Sequence, residues 1–298
     1  MSISTQKPII GINLENKPAL RNCPEYSYIS YDYVEAIVKS GGIPVLLPQI
    51  DDIDSIRETL SLLDGVVLTG GPDLDPRNDG FMLHPSVRPM TERREKYDRA
   101  LMKEIATRRI PVLGIGAGMQ LMNITLGGSL YLHIPEDIPS AFAHYDLKNE
   151  VPLRHKIIVG KGSLLYNVYG DNEVRVNSRH HMAIDDVANG FVISAYCPES
   201  QGAESKPYQK DLNFARSDVV VEAIESRFAD WFALGVQFHP EATQSATDLD
   251  RQIFVEFLKG VIAYQETKRN CLVTRPNSKE MGKKGKKVKS ESTISIEI

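Results

Sequence analysis

The sequence has few of the features that place a protein in a special structural class. Its 298 residues include only 3 cysteines, Cys23, Cys197 and Cys271, which lie far apart and show no CxxC spacing. A disulfide framework or a cysteine-based zinc site is therefore not expected. The longest apolar runs are short and interrupted by glycine, and the start MSISTQKPIIGIN lacks the apolar stretch of a signal peptide. We therefore expect no membrane span and a location in the cytoplasm.

An excess of charge of either sign is also absent. Lys and Arg number 35 and Asp and Glu number 39, which gives a net charge of −4. Such a balance produces no strong field that would attract a nucleic acid or a membrane surface. With 42% hydrophobic and 25% charged residues, the composition is that of a globular protein with enough apolar side chains for one large α/β domain.

Residues 266–298 differ from the rest of the chain. They show no helical or alternating apolar period before their last residues, and lysines concentrate in KKGKKVK. A solvated, disordered tail is typical of such a segment, although a basic cluster could also be a localisation signal or contact an anionic surface. We predict a folded domain at 1–265 and a basic, disordered tail at 266–298.

Apolar runs alternate with amphipathic segments in the first part of the chain. The apolar runs are short and rich in Val, Ile and Leu: KPIIGIN, IPVLLPQ, DGVVLTGG and IPVLGIG. The segments between them have apolar residues at helical spacing. Strands of this kind are typical of a parallel sheet covered by helices on both faces. Later segments, from HKIIVG to FALGVQF, have little helix between them, which indicates antiparallel strands appended to the parallel core. The predicted fold is therefore α/β, with a mostly parallel sheet.

A glycine-rich turn joins the predicted strand IPVLGI to the predicted helix MQLMNITL. Its residues are Gly114, Ile115, Gly116, Ala117 and Gly118. The pattern G-x-X-x-G between a strand and a helix is typical of an elbow that exposes its central residue above the end of a sheet. The helix N-terminus offers N–H groups to an oxyanion. In a working enzyme the central residue is Ser or Cys, whereas here it is Gly116.

Two other interpretations of this turn were open. A strand-to-helix glycine turn also binds the pyrophosphate of a dinucleotide, and Glu136 follows about twenty residues later. The spacing of the glycines contradicts a dinucleotide-binding motif, since a motif that began at Gly114 would need glycine at position 119, which is Met119. One that began at Gly116 would need glycine at Leu121. The glycines could also serve only to let the helix pack close to the strand.

Two further stretches place polar chemistry at predicted strand ends. GVQFHPEAT carries His239 and, two residues on, Glu241, which could hold the imidazole in one tautomer as a general base requires. LTGGPDLDP carries Gly70 and Gly71, whose backbone N–H groups could stabilise a developing negative charge. A single histidine or a glycine pair is more often structural, so the functional interpretation depends on their occurring together.

In this order and spacing, these stretches resemble the class I glutamine amidotransferase-like superfamily, most closely its γ-glutamyl-γ-aminobutyrate hydrolase and γ-glutamyl peptidase branch. The resemblance extends from about Pro8 to about Tyr264. It is carried by PIIGI, AIVKSGGIPVLLP, DGVVLTGGPDLDP, RIPVLGIGAGMQLMNITLGGSLY, VNSRHHMAI and ALGVQFHPEAT. It implies a flavodoxin-like three-layer α/β/α sandwich and a Cys-His-Glu triad that hydrolyses a γ-glutamyl amide through a thioester. It implies no metal and no organic cofactor.

The resemblance also implies roles for individual residues. His239 would be the general base and Glu241 its orienting carboxylate, and the N–H groups of Gly71 and Ala117 would form the oxyanion hole. The residues expected at the substrate pocket are Asp73, Gln120, His180 and His181. Two adjacent histidines in an exposed loop would look the same in the sequence.

One departure from the family pattern bears on mechanism. The family motif is close to G-I-C-R-G-M-Q, whereas this chain reads G-I-G-A-G-M-Q, so Gly116 replaces the nucleophile and Ala117 the following Arg. No acyl-enzyme forms without a thiolate. Loss of a triad nucleophile costs on the order of 10⁶ in rate in a serine protease. We therefore expect orthodox hydrolysis to be near absent.

Three functions of different classes fit this sequence. The first is a binding or regulatory pseudoenzyme for a small γ-glutamyl compound, as a homodimer or with a partner subunit. The second is a hydrolase of γ-glutamyl amides, such as γ-glutamyl-GABA, in which His239 activates water without a thiolate. The third is a scaffold that acts through an interface or the basic tail.

Overall fold

The computed structural model of the protein describes residues 6–145, 153–198 and 219–273. Its main sheet has nine strands in the order β4-β1-β5-β6-β13-β12-β11-β8-β9. These strands are β1 (Ile9–Asn13), β4 (Ile43–Leu47), β5 (Gly65–Leu68), β6 (Val112–Ile115), β8 (Leu153–Val159), β9 (Glu173–Ser178), β11 (Phe191–Pro198), β12 (Val219–Ser226) and β13 (Ala233–Val236). Two small antiparallel ladders join β2 (Glu15–Lys17) to β3 (Tyr26–Tyr28) and β7 (Leu130–Tyr131) to β10 (Ala183–Ile184).

The sheet has a parallel half and an antiparallel half. Strands β4, β1, β5, β6 and β13 pair in parallel. Strands β12, β11, β8 and β9 continue the sheet through antiparallel pairs. The predicted parallel core with appended antiparallel strands is confirmed.

Helices cover both faces of the sheet. They are α1 (Tyr31–Ser40), α2 (Ile53–Ser61), α3 (Glu92–Arg108), α4 (Ala117–Thr125), α5 (Ile134–Asp137), α6 (Leu164–Tyr169) and α7 (Asp248–Val273). Apolar residues of α2, α3 and α4 form the core on one face, and those of α1, α6 and α7 form the core on the other. Neighbouring strand residues such as Val66 and Val67 point to opposite cores, as the period of a strand requires. The result is the expected three-layer α/β/α sandwich.

The end of the last helix differs from the prediction. Helix α7 extends to Val273, so the predicted boundary between 265 and 266 lies inside it and residues 266–273 are helical. Contacts with the domain support this end, because Gln265 donates to Asp64 Oδ2 and Lys268 Nζ donates to Ser61 O. The rest of the predicted tail, 274–298, lies outside the described residues. No helix in the described part of the chain is both long enough and apolar enough to span a membrane.

Candidate active site

The glycine turn has the geometry of an elbow between strand and helix. β6 ends at Ile115, α4 begins at Ala117, and Gly116 lies between them with φ 56° and ψ −116°. A positive φ is disfavoured for residues with a side chain, and glycine adopts it at little steric cost. A Cβ on the flanking Gly118 would collide with the carbonyl of Leu68, so close packing explains that glycine. It does not explain Gly116, whose α-carbon has more room.

The free side of Gly116 faces His239. A Cβ placed on Gly116 would lie 3.3 Å from Cε1 and 3.4 Å from Nε2 of His239, and 3.6 Å from the α-carbon of Gly70. Any side chain at position 116 would therefore begin next to the imidazole. This is the arrangement of a nucleophile and its general base, with hydrogen in place of the nucleophile.

Glu241 orients the imidazole. Nδ1 of His239 lies 2.8 Å from Oε1 of Glu241, which leaves Nε2 on the side of position 116. The Glu241 side chain is buried, while that of His239 keeps 22% of its surface exposed. Burial lowers the pKa of His239, but the charge of Glu241 and the hydrogen bond to it outweigh burial and raise that pKa above its ordinary value. The pair is therefore suited to accepting a proton at Nε2.

Asn177, at the end of β9, fixes the backbone of His239. The N–H of His239 donates to Asn177 Oδ1 at 2.8 Å, and Asn177 Nδ2 donates to the carbonyl of His239 at 2.8 Å. Asn177 Nδ2 also donates to Ser245 Oγ. No sequence pattern singles out Asn177, although it lies in the stretch VNSRHH. The available signal was an amide side chain near the end of a predicted strand.

The loop after β5 carries one of the two expected oxyanion donors. The N–H of Gly70 donates to Tyr33 Oη at 3.0 Å. The N–H of Gly71 has no hydrogen-bond acceptor among the residues that the structure describes. Gly71 has φ 148°, a conformation that favours glycine. Ala117 is the first residue of α4, where a backbone N–H has no intrahelical partner. Gly71 and Ala117 thus meet the requirement for free N–H groups.

Arg94 of α3 holds this loop from below. Its buried guanidinium donates to Gly70 O at 3.0 Å and to Thr69 Oγ1 at 3.2 Å, and it pairs with Asp98 and Glu15. A Cβ on Gly71 would collide with this Arg94–Glu15 pair. No local sequence pattern indicates this role of Arg94, because its contact with the loop is tertiary.

A cleft of about 830 Å³ opens beside His239 and Glu241. The start of α1 contributes Ser30 and Asp32 to its wall, and the end of β9 contributes Arg179. The cleft therefore offers both an anionic and a cationic side chain near the imidazole.

Two of the four residues expected at the substrate pocket contact each other. His181 Nε2 lies 3.1 Å from Asp73 Oδ2, and that oxygen also accepts from the N–H of Arg88 at 2.6 Å. The His181 ring packs against the ring of His133 with centroids 5.7 Å apart. Neither Asp73 nor His181 is among the residues that line the 830 Å³ cleft, so contact with a substrate stays a prediction.

The other two are buried. Gln120 donates to Gln237 Oε1 at 3.1 Å under the elbow. His180 turns into the protein, where Nδ1 lies 2.9 Å from Met182 O and Nε2 lies 3.4 Å from Glu222 Oε1. Neither residue lines the cleft, so their role in substrate binding also stays a prediction.

No described cysteine takes the place of the nucleophile. Cys23 is exposed in a loop near the N-terminus, and Cys197 is buried in β11 against Ile134 and Val220. Neither lines the cleft or contacts the Cβ position of residue 116. The side chain of Cys271 lies outside the described residues.

Comparisons with known proteins agree with this fold. Residues 8–241 match the family model of peptidase C26. The chain is 33% identical over 243 residues to a Mycobacterium tuberculosis protein named as a glutamine amidotransferase, covering 80% of this chain and 71% of that protein. It is 29% identical over 236 residues to γ-glutamyl-γ-aminobutyrate hydrolase of Escherichia coli K12, covering 76% and 83%. The glutaminase domain of Trypanosoma brucei CTPS, with bound acivicin, superposes with a TM-score of 0.53 at 18% identity, covering 86% of this chain and 94% of that chain.

Proposed function

The chain belongs to the peptidase C26 family, and from its site we propose that it binds a small γ-glutamyl compound without forming a thioester. The observation that carries the proposal is the 3.4 Å between His239 Nε2 and the Cβ position of Gly116. The base, its carboxylate and the free N–H groups are retained around a position that offers only hydrogen. Such a site keeps binding contacts and lacks the atom that would attack the amide. A cytoplasmic location and a homodimer or partner subunit belong to the same proposal.

The charges of the cleft support a γ-glutamyl ligand. This group carries a carboxylate and an ammonium on one carbon. Arg179 complements the carboxylate, since guanidinium pairs well with carboxylates. Asp32, which also lines the cleft, complements the ammonium. The Escherichia coli relative is named for hydrolysis of a compound of this class.

A second candidate is hydrolysis without a thiolate. Nε2 of His239 faces position 116 and has no hydrogen-bond partner among the described residues. There it could take a proton from water while the water oxygen attacks the γ-carbonyl carbon, and later give that proton to the leaving amine. The products would be glutamate and the amine. A scaffold function through the tail concerns 274–298, which lie outside the described residues, and stays a prediction.

The test combines turnover with binding. The full chain is incubated with γ-glutamyl-GABA, γ-glutamyl anilide or glutamine, while glutamate release and the melting temperature Tm are followed. We expect a γ-glutamyl compound to raise Tm with no glutamate above the blank. Arg179→Ala should remove this stabilisation. Arg175→Ala, a matched change four residues earlier, in β9 and outside the cleft, should keep it.

Other outcomes contradict the proposal in distinct ways. Glutamate release by the unchanged chain that disappears in His239→Gln would favour the second candidate. No stabilisation and no turnover with all three compounds would leave only the scaffold function.

A further inference from the structure

A second group of titratable side chains lies buried in the antiparallel half of the sheet. We call it the histidine cluster, and its members are His144, His155, His180 and Glu222. His155 is in β8, His180 follows β9, Glu222 is in β12, and His144 lies in the loop after α5. The side chain of Glu222 is 0% exposed, and none of the three histidine side chains exceeds 6%. The cluster does not line the cleft.

Three ring nitrogens converge on one carboxylate oxygen. Oε1 of Glu222 lies 3.0 Å from Nε2 of His155, 3.4 Å from Nδ1 of His144 and 3.4 Å from Nε2 of His180. Tetrahedral zinc with ligand bonds of about 2.0–2.1 Å keeps its ligand atoms roughly 3.3–3.4 Å apart. Ligand atoms of His144, His155 and Glu222 also lie within 4.8 Å of one another. The spacing of these three residues therefore suits a metal ion bound between them, and Nε2 of His180, 3.4 Å from the same carboxylate oxygen, is the nearby fourth donor.

Hydrogen bonding does not account for the arrangement. Within the described ranges, both carboxylate oxygens of Glu222, both ring nitrogens of His155 and Nε2 of His180 lack a hydrogen-bond partner. The short distances to Glu222 thus lack hydrogen-bond geometry. Buried polar atoms are otherwise almost always paired. The carboxylate needs a different partner.

The tautomer of His180 also indicates that this ring does not donate a hydrogen bond to Glu222. Its Nδ1 lies 2.9 Å from the carbonyl of Met182, and a carbonyl only accepts, so Nδ1 carries the proton. In the neutral ring, Nε2 then presents a lone pair to the carboxylate of Glu222. Two lone pairs facing each other in a buried site are unfavourable unless a cation lies between them.

A divalent metal ion satisfies the cluster without the repulsion between neighbouring imidazolium rings that protonation would introduce. Protonation of two rings would place two imidazolium ions in a site where the ring centroids are 4.4–6.4 Å apart. A metal ion instead uses neutral rings and the carboxylate as they stand.

We propose that His144, His155, His180 and Glu222 bind one Zn²⁺ ion as a structural site. Imidazole and carboxylate are ordinary zinc ligands, and four protein ligands close the tetrahedral shell, as structural sites require. Their burial leaves no face for a substrate. This assignment does not depend on the proposed function, since it rests on other residues.

The proposed zinc site would fix the end of β9 and the residue after it, which line the cleft. The N–H of His180 donates to the carbonyl of His144 at 3.1 Å, and Ser178 Oγ donates to the same carbonyl at 2.8 Å. Asn177, which holds His239, and Arg179, which lines the cleft, belong to this segment. Metal binding therefore acts on the cleft through the end of β9.

The first experiment measures zinc binding by the full chain. The protein is stripped with EDTA, dialysed against ZnCl₂ and analysed by elemental mass spectrometry and calorimetry. We expect one equivalent of Zn²⁺ and a Tm that rises by several degrees. Glu222→Gln and His155→Gln should weaken binding at least about tenfold, in line with the loss of a ligand. His84→Gln and His133→Gln are matched controls in a partly exposed histidine group and should leave binding unchanged. Absence of stoichiometric zinc, or loss of zinc in the controls alone, would overturn the assignment.

The second experiment needs no variant, so a folding defect cannot obscure it. X-ray absorption at the zinc edge of the unchanged protein should show three imidazole nitrogens and one oxygen, without sulfur. Coordination dominated by water, or any sulfur ligand, would overturn the assignment.

Discussion

An imidazole lies beside a buried glutamate in two regions of this molecule, the cleft and the histidine cluster. In the cleft, Glu241 has one ring, at 2.8 Å, and the other nitrogen of His239 faces the open position 116. In the cluster, Glu222 has three rings around one oxygen, and the described residues supply no hydrogen bond to it. The same two chemical groups thus form a proton acceptor when one nitrogen is left free. They form a ligand set when one nitrogen from each of three rings points to the same carboxylate oxygen.

A thiol introduced at position 116 should show the largest difference between the cleft and the histidine cluster, because it completes a catalytic triad in the cleft alone. We expect Gly116→Cys to raise glutamate release from γ-glutamyl anilide by about 10³-fold or more over the unchanged chain, since His239 is in place to activate the thiol. The release is followed by a coupled glutamate assay, and mass spectrometry detects the acyl intermediate. Ala117→Arg, added to Gly116→Cys, tests whether the missing arginine limits the rate.

Two further results bear on this variant. Gly116→Cys combined with His239→Gln should be inactive, and activity without the imidazole would contradict the role given to His239. The positive φ of residue 116 should cost a cysteine roughly 1–3 kcal/mol, so Tm should fall or stay unchanged. A Tm several degrees higher would count against strain at the elbow.

Removal of each glutamate compares the two regions by stability. We expect Glu222→Ala to lower the free energy of unfolding of the zinc-loaded protein by about 3 kcal/mol, because it leaves the charge of a buried metal ion without its anionic ligand. Glu241→Ala should cost about 1 kcal/mol, since it removes one hydrogen bond from a partly exposed ring. Urea denaturation in the presence of ZnCl₂ measures both values. Equal losses would mean that the two carboxylates have the same structural role.

Asn177 connects the two regions, because it holds His239 and lies on the strand that leads to His180. Asn177→Ala should lower the free energy of unfolding by about 1–2 kcal/mol through loss of its hydrogen bonds to the His239 backbone. It should also reduce turnover in the Gly116→Cys background while zinc binding persists. Asn167→Ala, whose side chain has one exposed contact with Glu256, is a control that should change neither quantity. A loss of zinc with Asn177→Ala would mean that the regions are not separable.

The smallest effect concerns the pH dependence of the cleft. The pKa of His239 is raised in the folded protein, so the pair with Glu241 adds stability that is fully present below the unfolded value of 6.5. That stability is lost as the pH rises through the folded pKa. Glu241→Gln removes the anion, so the pKa of His239 should fall. An NMR titration of the His239 ring measures this change directly.

Stability measurements check the sign of that prediction. The unchanged chain should exceed Glu241→Gln in free energy of unfolding by more at about pH 5.5 than at about pH 8.5. A difference that grows with pH would show that Glu241 does not stabilise the imidazolium of His239.

Local patterns in the sequence predicted the strands of the sheet, the elbow at 114–118 and the His239–Glu241 pair, because each depends on residues close together in the chain. Alternating apolar runs specify strands and the faces they bury, and a glycine between strand and helix permits a positive φ. The end of α7 was missed, because contacts of Gln265 and Lys268 with a distant part of the domain support it.

The sequence by itself therefore determined the fold, the family and the absence of a nucleophile at Gly116. Only the tertiary structure brought Arg94 under the oxyanion loop, Asn177 onto His239, and His180 away from the cleft toward Glu222. The expectation of no metal rested on cysteine spacing and on family resemblance, neither of which detects donors on separate strands. Strand order and register decide which distant side chains meet, and no local period of the sequence encodes them.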